Sequence, residues 1–102
     1  MTANPLGVAA VRPAQNPQAA WREIDGVVVV ISPTDSVLHE LNSTGSFIWK
    51  QANGERTVEE IAAQVAEEFD VSAEVALADT RAFLEMLAEK KLLAELPEAA
   101  SA

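Results

Sequence analysis

The chain has 102 residues, of which 49% are hydrophobic, and it carries a net charge of −9 at neutral pH. This length fits one compact domain, and the acidic balance disfavours nucleic-acid binding, which needs Lys and Arg to displace counterions from phosphates. The absence of Cys excludes disulfides and thiolate metal sites. We expect a soluble, cytoplasmic protein, because the sequence shows no signal-peptide pattern and no apolar stretch near the roughly 20 residues of a membrane span.

Composition divides the chain into three regions. Residues 1–20 contain Pro5, Pro13 and Pro17 among Ala, Asn and Gln, without sustained periodicity, which predicts a flexible N-terminal arm. Residues 21–96 carry the periodic hydrophobic pattern of a folded domain. Residues 97–102 are predicted to form a short flexible tail.

The folded region begins with a predicted meander of three strands. Asp25-Gly26 separates two β-forming runs and suits a type I′ turn, because both positions of that turn need positive φ. Residues 27–31 are five consecutive β-branched residues, which favour a strand in the middle of a sheet. Pro33 marks the next turn, and residues 36–41 return as a third strand. Its alternation places Val37, His39 and Leu41 on one face and Leu38 and Glu40 on the other.

Three helices follow the strands. Asn42 or Ser43 can cap a short first helix that Asn53-Gly54 ends, and Thr57-Val58-Glu59-Glu60 matches a capping box for the second. Ser72 can cap a third helix that runs to about Lys91. The order of elements predicts an α+β domain in which a three-stranded antiparallel sheet is followed by three helices.

The sequence offers little for catalysis, and we expect neither an enzyme nor a cofactor or metal site. His39 is the only His, and no Ser and carboxylate stand at a spacing that predicts a triad with it. Glu59-Glu60 and Glu67-Glu68 fall on the polar side of the second helix, where solvated carboxylates are the ordinary case. The four glycines are scattered, so no phosphate-binding loop is predicted.

The third strand is the most informative feature, because it forms an edge of the predicted sheet with little to block pairing. It contains no Pro, Gly or Lys, and its one charge fixed at neutral pH is Glu40. If the third helix lies beside this edge, Leu77, Thr80 and Leu84 could line a groove that accepts an extended peptide. The alternative is that the N-terminal arm or a second copy of the chain covers the edge.

Several motifs together resemble the PqqD family. They are Asp25-Gly26 with the following valines, Leu41-Asn42-x-Thr44-Gly45-x-x-Ile48-Trp49, Asn53-Gly54-x-x-Thr57-Val58-x-x-Ile61-Ala62, and Asp79-x-x-x-Phe83-Leu84-x-x-Leu87 before Leu92-Leu93. The resemblance covers about residues 21–93, and it implies a winged-helix-like arrangement of the three strands and three helices.

This resemblance implies a peptide chaperone that recognises the leader of a ribosomally synthesised precursor peptide and presents it to a modifying enzyme, often a radical SAM protein. The leader would add as a strand between the third strand and the third helix. Because relatives occur in several peptide pathways, pyrroloquinoline quinone biosynthesis is one possibility among them. The peptide-binding residues implied by position are Val37, Leu38, His39, Glu40, Thr80, Leu84, Leu87 and Lys91.

Two other classes of function compete with this interpretation. A winged-helix DNA-binding protein would share the general fold, but the second helix carries four Glu and no Lys or Arg. A structural subunit could instead dock on an enzyme without binding peptide. The sequence is compatible with either a monomer or a homodimer.

Overall fold

The computed structural model describes residues 12–94, and the fold within them is a sheet followed by three helices. The sheet is antiparallel with strand order β1-β2-β3. This confirms the predicted fold class. The strands are β1 (Ala20–Ile24), β2 (Val27–Ile31) and β3 (Leu38–Glu40), and the helices are α1 (Ser43–Gln51), α2 (Val58–Phe69) and α3 (Ala73–Glu89).

Local sequence signals set the turns and helix starts. Asp25 and Gly26 both have positive φ, 53° and 83°, as a type I′ hairpin requires. The Asn42 side chain accepts a hydrogen bond from the Gly45 N–H at the start of α1. The predicted capping box of Thr57 is present at α2, and Ser72 caps α3. Each of these predictions is confirmed.

The core lies between one face of the sheet and the helices. Val28 and Val30 point into it from β2, because alternate residues of a strand face opposite sides. Trp49 of α1 is completely buried and meets the ring of Trp21 edge to face, with ring centroids 5.9 Å apart. The fully buried large side chains from the helices and the segment after them are Trp49, Ile48, Ile61, Val65, Leu87 and Leu92.

A buried hydroxyl joins β2, the end of β3 and α1. Ser46 Oγ accepts a hydrogen bond from the Val28 N–H at 2.9 Å and donates one to the Leu41 carbonyl at 3.1 Å. Leu41 also donates its N–H to the Val28 carbonyl. The hydroxyl of Ser46 therefore stands in for the second backbone bond that this antiparallel pair would otherwise make, and it fixes β3 relative to α1.

Residues before the sheet contact two distant loops. Gln15 donates its N–H to the Ala52 carbonyl and Asn16 donates to the Leu92 carbonyl, both at 2.9 Å. The sequence predicts an arm through residue 20, whereas the structure places residues 12–19 against the body of the domain. The difference arises because these bonds join residues far apart in the chain, which local periodicity does not reveal. Residues 1–11 and 97–102, the rest of the predicted arm and the tail, lie outside the described residues.

The C-terminus of α3 closes with a Schellman arrangement. The Leu92 N–H donates to the Leu87 carbonyl at 2.8 Å, and the Lys91 N–H donates to the Ala88 carbonyl at 3.0 Å. Lys91 has φ of 63° in this turn, the left-handed region that glycine adopts without steric cost.

Replacing Lys91 with Gly is expected to stabilise the domain. A left-handed conformation costs an L-residue about 1–2 kcal/mol, and part of this gain is offset by the greater entropy of Gly in the unfolded chain. We expect a net increase of about 0.5–1 kcal/mol in the free energy of unfolding, measured by urea denaturation. The control is Lys90→Gly, because Lys90 has φ of −90° and gains nothing from Gly. Equal effects of the two variants would contradict this account.

Candidate functional site

The outer edge of β3 carries backbone groups with no backbone partner among residues 12–94. The bonds from Ser32 N–H to the Val37 carbonyl and from Leu41 N–H to the Val28 carbonyl flank the β2–β3 ladder. Because bonded positions alternate along an antiparallel pair, His39 directs its N–H and C=O toward β2. Leu38 and Glu40 consequently direct theirs away from the sheet, so the edge offers two donors and two acceptors to an added strand.

The predicted residues of the third strand lie along this edge as expected. Leu38 is 59% exposed and shares the outer face of the sheet with Glu40, which is also exposed. His39 is half-buried on the core face, opposite Val30. Val37 is exposed just before β3.

The predicted residues of the third helix lie elsewhere than in a groove. Thr80 and Leu87 are completely buried and Leu84 is 7% exposed, so all three belong to the core side of α3. Lys91 is exposed in the turn after α3. Direct contact of a ligand with the three buried side chains would require α3 to move.

A pocket of about 430 Å³ lies between the start of α1 and the adjoining side of α3. It includes Asn42, two residues after the end of β3. The side chains on α3 that line it are spaced three and four residues apart, which places them on one helical side. The lining residues are Asn42, Thr44, Gly45, Ile48, Asp79, Ala82 and Phe83.

Gly45 sets the floor of this pocket by allowing the Phe83 ring close to α1. A Cβ at position 45 would lie 2.7 and 2.8 Å from two atoms of that ring and 3.1 Å from Asn42 Oδ1. Phe83 itself is half-buried at the pocket. Two features of the sequence could have pointed to this pocket. They are the Thr44-Gly45 pair and the spacing of four residues between Asp79 and Phe83.

The turn before β3 is held by a carboxylate. Asp35 accepts a hydrogen bond from the Val37 N–H at 3.1 Å. This bond, with a smaller contribution from Ser32, lowers the pKa of the Asp35 carboxyl below its ordinary value of 3.8. The Val37 amide is thereby satisfied, and the donors left free on the edge are those of Leu38 and Glu40.

Two kinds of site find no support in the part of the chain described here. Residues 12–94 contain no group of three His, Asp or Glu side chains placed to hold a metal ion. Within the same residues, no helix combines the length and the apolar character that crossing a membrane requires.

Comparison with known proteins agrees with this geometry. The PqqD family, described as coenzyme PQQ synthesis protein D, matches residues 27–93. The chain belongs to the PqqD family. The resemblance drawn from the sequence motifs is therefore confirmed, and the matched residues of this PqqD family member run from β2 to the segment after α3. No protein of curated function matches the sequence significantly.

Two solved structures share the fold of this PqqD family member. TbiB1, solved in complex with the TbiA(beta) leader peptide, is 28% identical with a TM-score of 0.74, and the match covers 81% of this chain and 96% of TbiB1. A lasso peptide synthetase B1 complexed with the leader peptide is 18% identical with a TM-score of 0.73, covering 82% of this chain and 99% of that protein. Because the second protein is 18% identical to this chain, its similarity supports a shared fold and nothing further.

Proposed function

We propose that this PqqD family member is a non-catalytic recognition protein that binds the leader of a ribosomally synthesised precursor peptide and presents it to a modifying enzyme. The observation that carries the proposal is the free outer edge of β3, where Leu38 and Glu40 direct their backbone groups away from β2. The family membership and the leader-peptide complex of TbiB1 support it.

In this proposal the leader lies along β3 as a fourth strand. Up to four backbone hydrogen bonds with Leu38 and Glu40 contribute about 1 kcal/mol each. These bonds carry no information about side chains, so they give affinity for an extended backbone rather than for one sequence.

Selectivity would come from the pocket beside α3. Its floor is apolar, with Ile48 and Phe83, whereas Asn42, Thr44 and Asp79 supply polar atoms. One leader side chain buried there contributes about 1.5–3 kcal/mol. After the cost of ordering the peptide, the sum is compatible with micromolar affinity.

The structure does not favour the DNA-binding alternative. The exposed side of α2, which would have to approach phosphates, carries Glu59, Glu60, Glu67 and Glu68. These carboxylates would repel the nucleic-acid backbone.

The proposal is tested by hydrogen exchange and amide chemical shifts with a synthetic leader from the precursor gene nearest to this one. Because Leu38 and Glu40 donate outward, their amides are expected to exchange at least about tenfold more slowly when the peptide is bound. The His39 amide, already directed to β2, should change much less. A scrambled peptide of the same composition is the control.

The contrary result would be equally clear. Leader-dependent shifts confined to the exposed side of α2, or protection of His39 without Leu38 and Glu40, would contradict strand addition at β3. Shifts at Asp79 and Phe83 would support the pocket as the selective part of the site.

A further inference from the structure

The face of the sheet opposite the helices is apolar and is not covered by residues 12–94. Cross-strand pairing arranges its side chains in rows, because directly paired residues point to the same side. One row is Ala20, Ile31 and Leu38, and the next is Arg22, Val29 and Glu40. Ile24, at the end of β1, is 52% exposed on this face. We call this surface the outer face.

An uncovered face of this kind is unusual for an antiparallel sheet, which ordinarily alternates apolar residues toward the core with polar residues toward water. The run of Val and Ile in β2 makes both of its faces apolar. A shallow depression of about 330 Å³ lies on the outer face, lined by side chains of all three strands. Exposed apolar patches of this kind mark interaction surfaces.

The charges on the outer face indicate what covers it. Arg22 on β1 and Glu40 on β3 flank Val29 in one row, and neither forms an ion pair within the described residues. They lie two strand spacings apart, about 10 Å between backbones, on either side of Val29. The row therefore presents one positive end and one negative end with an apolar centre.

We propose that two copies of the chain pack outer face to outer face about a two-fold axis parallel to β2. This axis places β1 of one copy over β3 of the other, so Arg22 faces Glu40 of the partner subunit, and the pair occurs twice. In the neighbouring row the same operation sets Leu38 over Ala20 of the partner subunit, a large side chain over a small one. The surface is thus self-complementary in charge and in size, as an isologous interface requires.

This dimer is compatible with peptide binding but does not depend on it. The free backbone groups of Leu38 and Glu40 lie in the plane of the sheet, whereas the interface lies on its outer face. A leader strand added to β3 would widen the outer face rather than compete for it.

Ile24→Asp is expected to separate the two copies. Sedimentation equilibrium of the full chain should give twice the monomer mass of 10.9 kDa. The variant loses two apolar side chains per dimer, so its dissociation constant should rise at least about a hundredfold. Val71→Asp, at a residue 37% exposed between α2 and α3, is the matched control and should stay dimeric. Circular dichroism melting confirms that each variant is folded.

A charge exchange tests the proposed axis. Arg22→Glu alone should weaken the dimer about tenfold or more, because it sets two like-charged pairs across the interface. Combining it with Glu40→Arg should restore the dimer. A chain that is monomeric at all concentrations, a dimer insensitive to Ile24→Asp, or a double variant no better than Arg22→Glu would overturn the proposal. Leader binding by Ile24→Asp reports on the proposed function separately.

Discussion

Leu38→Pro is expected to lower leader affinity at least about thirtyfold while the domain remains folded. The Leu38 N–H points away from β2, so proline at this position removes a donor offered to the added strand and no bond of the existing sheet. The ring also occupies space next to the edge, where the incoming backbone must approach. Isothermal titration calorimetry with the synthetic leader measures the effect.

Leu38→Ala is the matched control, because it shortens the same side chain but keeps the N–H. We expect it to retain most of the affinity, and both variants should melt close to the unsubstituted chain. If alanine and proline weaken binding equally, the side chain and not the backbone edge carries recognition, and strand addition at β3 is wrong.

The second large effect is expected at Ser46. Ser46→Ala removes the hydroxyl that bridges the Val28 N–H and the Leu41 carbonyl, both inside the domain. Leaving a buried backbone group without a partner costs about 1–3 kcal/mol, so two such groups should lower the free energy of unfolding by about 2–6 kcal/mol. Urea denaturation measures this loss directly.

Ser43→Ala provides the comparison, because Ser43 is exposed one turn earlier in α1 and should change stability by no more than about 0.5 kcal/mol. The Ser46 variant should also bind the leader more weakly, since the position of β3 relative to α1 depends on the same hydroxyl. A loss under about 1 kcal/mol would mean that Val28 and Leu41 close the gap and pair with each other.

The elements predicted well from sequence are those fixed by local chemistry. Asp25-Gly26 specifies a turn through the φ values that it tolerates, and Thr57 with Glu60 specifies a helix start through two reciprocal hydrogen bonds. The alternation of residues 36–41 likewise gives the correct faces of β3. These interactions span at most a few residues, so they can be predicted from the sequence alone.

The helix side of the candidate site could not be obtained in this way. Periodicity shows that α3 has a buried side, but it does not say which neighbour covers each margin. Thr80 illustrates the difficulty. Its hydroxyl predicts a position at the solvent-exposed border of the buried side of α3, yet the side chain is completely buried. Phe83 packs against the core but stays half-buried at the pocket, where its ring lies close to Gly45 of α1.

The hydrogen bonds that residues 13–16 make affect how cooperatively the domain unfolds. Pro13 and Gln15 hold the connection between α1 and α2, while Ala14 and Asn16 hold the segment that follows α3. Two loops are therefore held in place by hydrogen bonds to one short stretch, residues 13–16, which precedes the residues matched by the family. Cutting the chain back to those matched residues would remove the hydrogen bonds that hold these loops, so we expect the smallest unit that unfolds in one step to begin before residue 27.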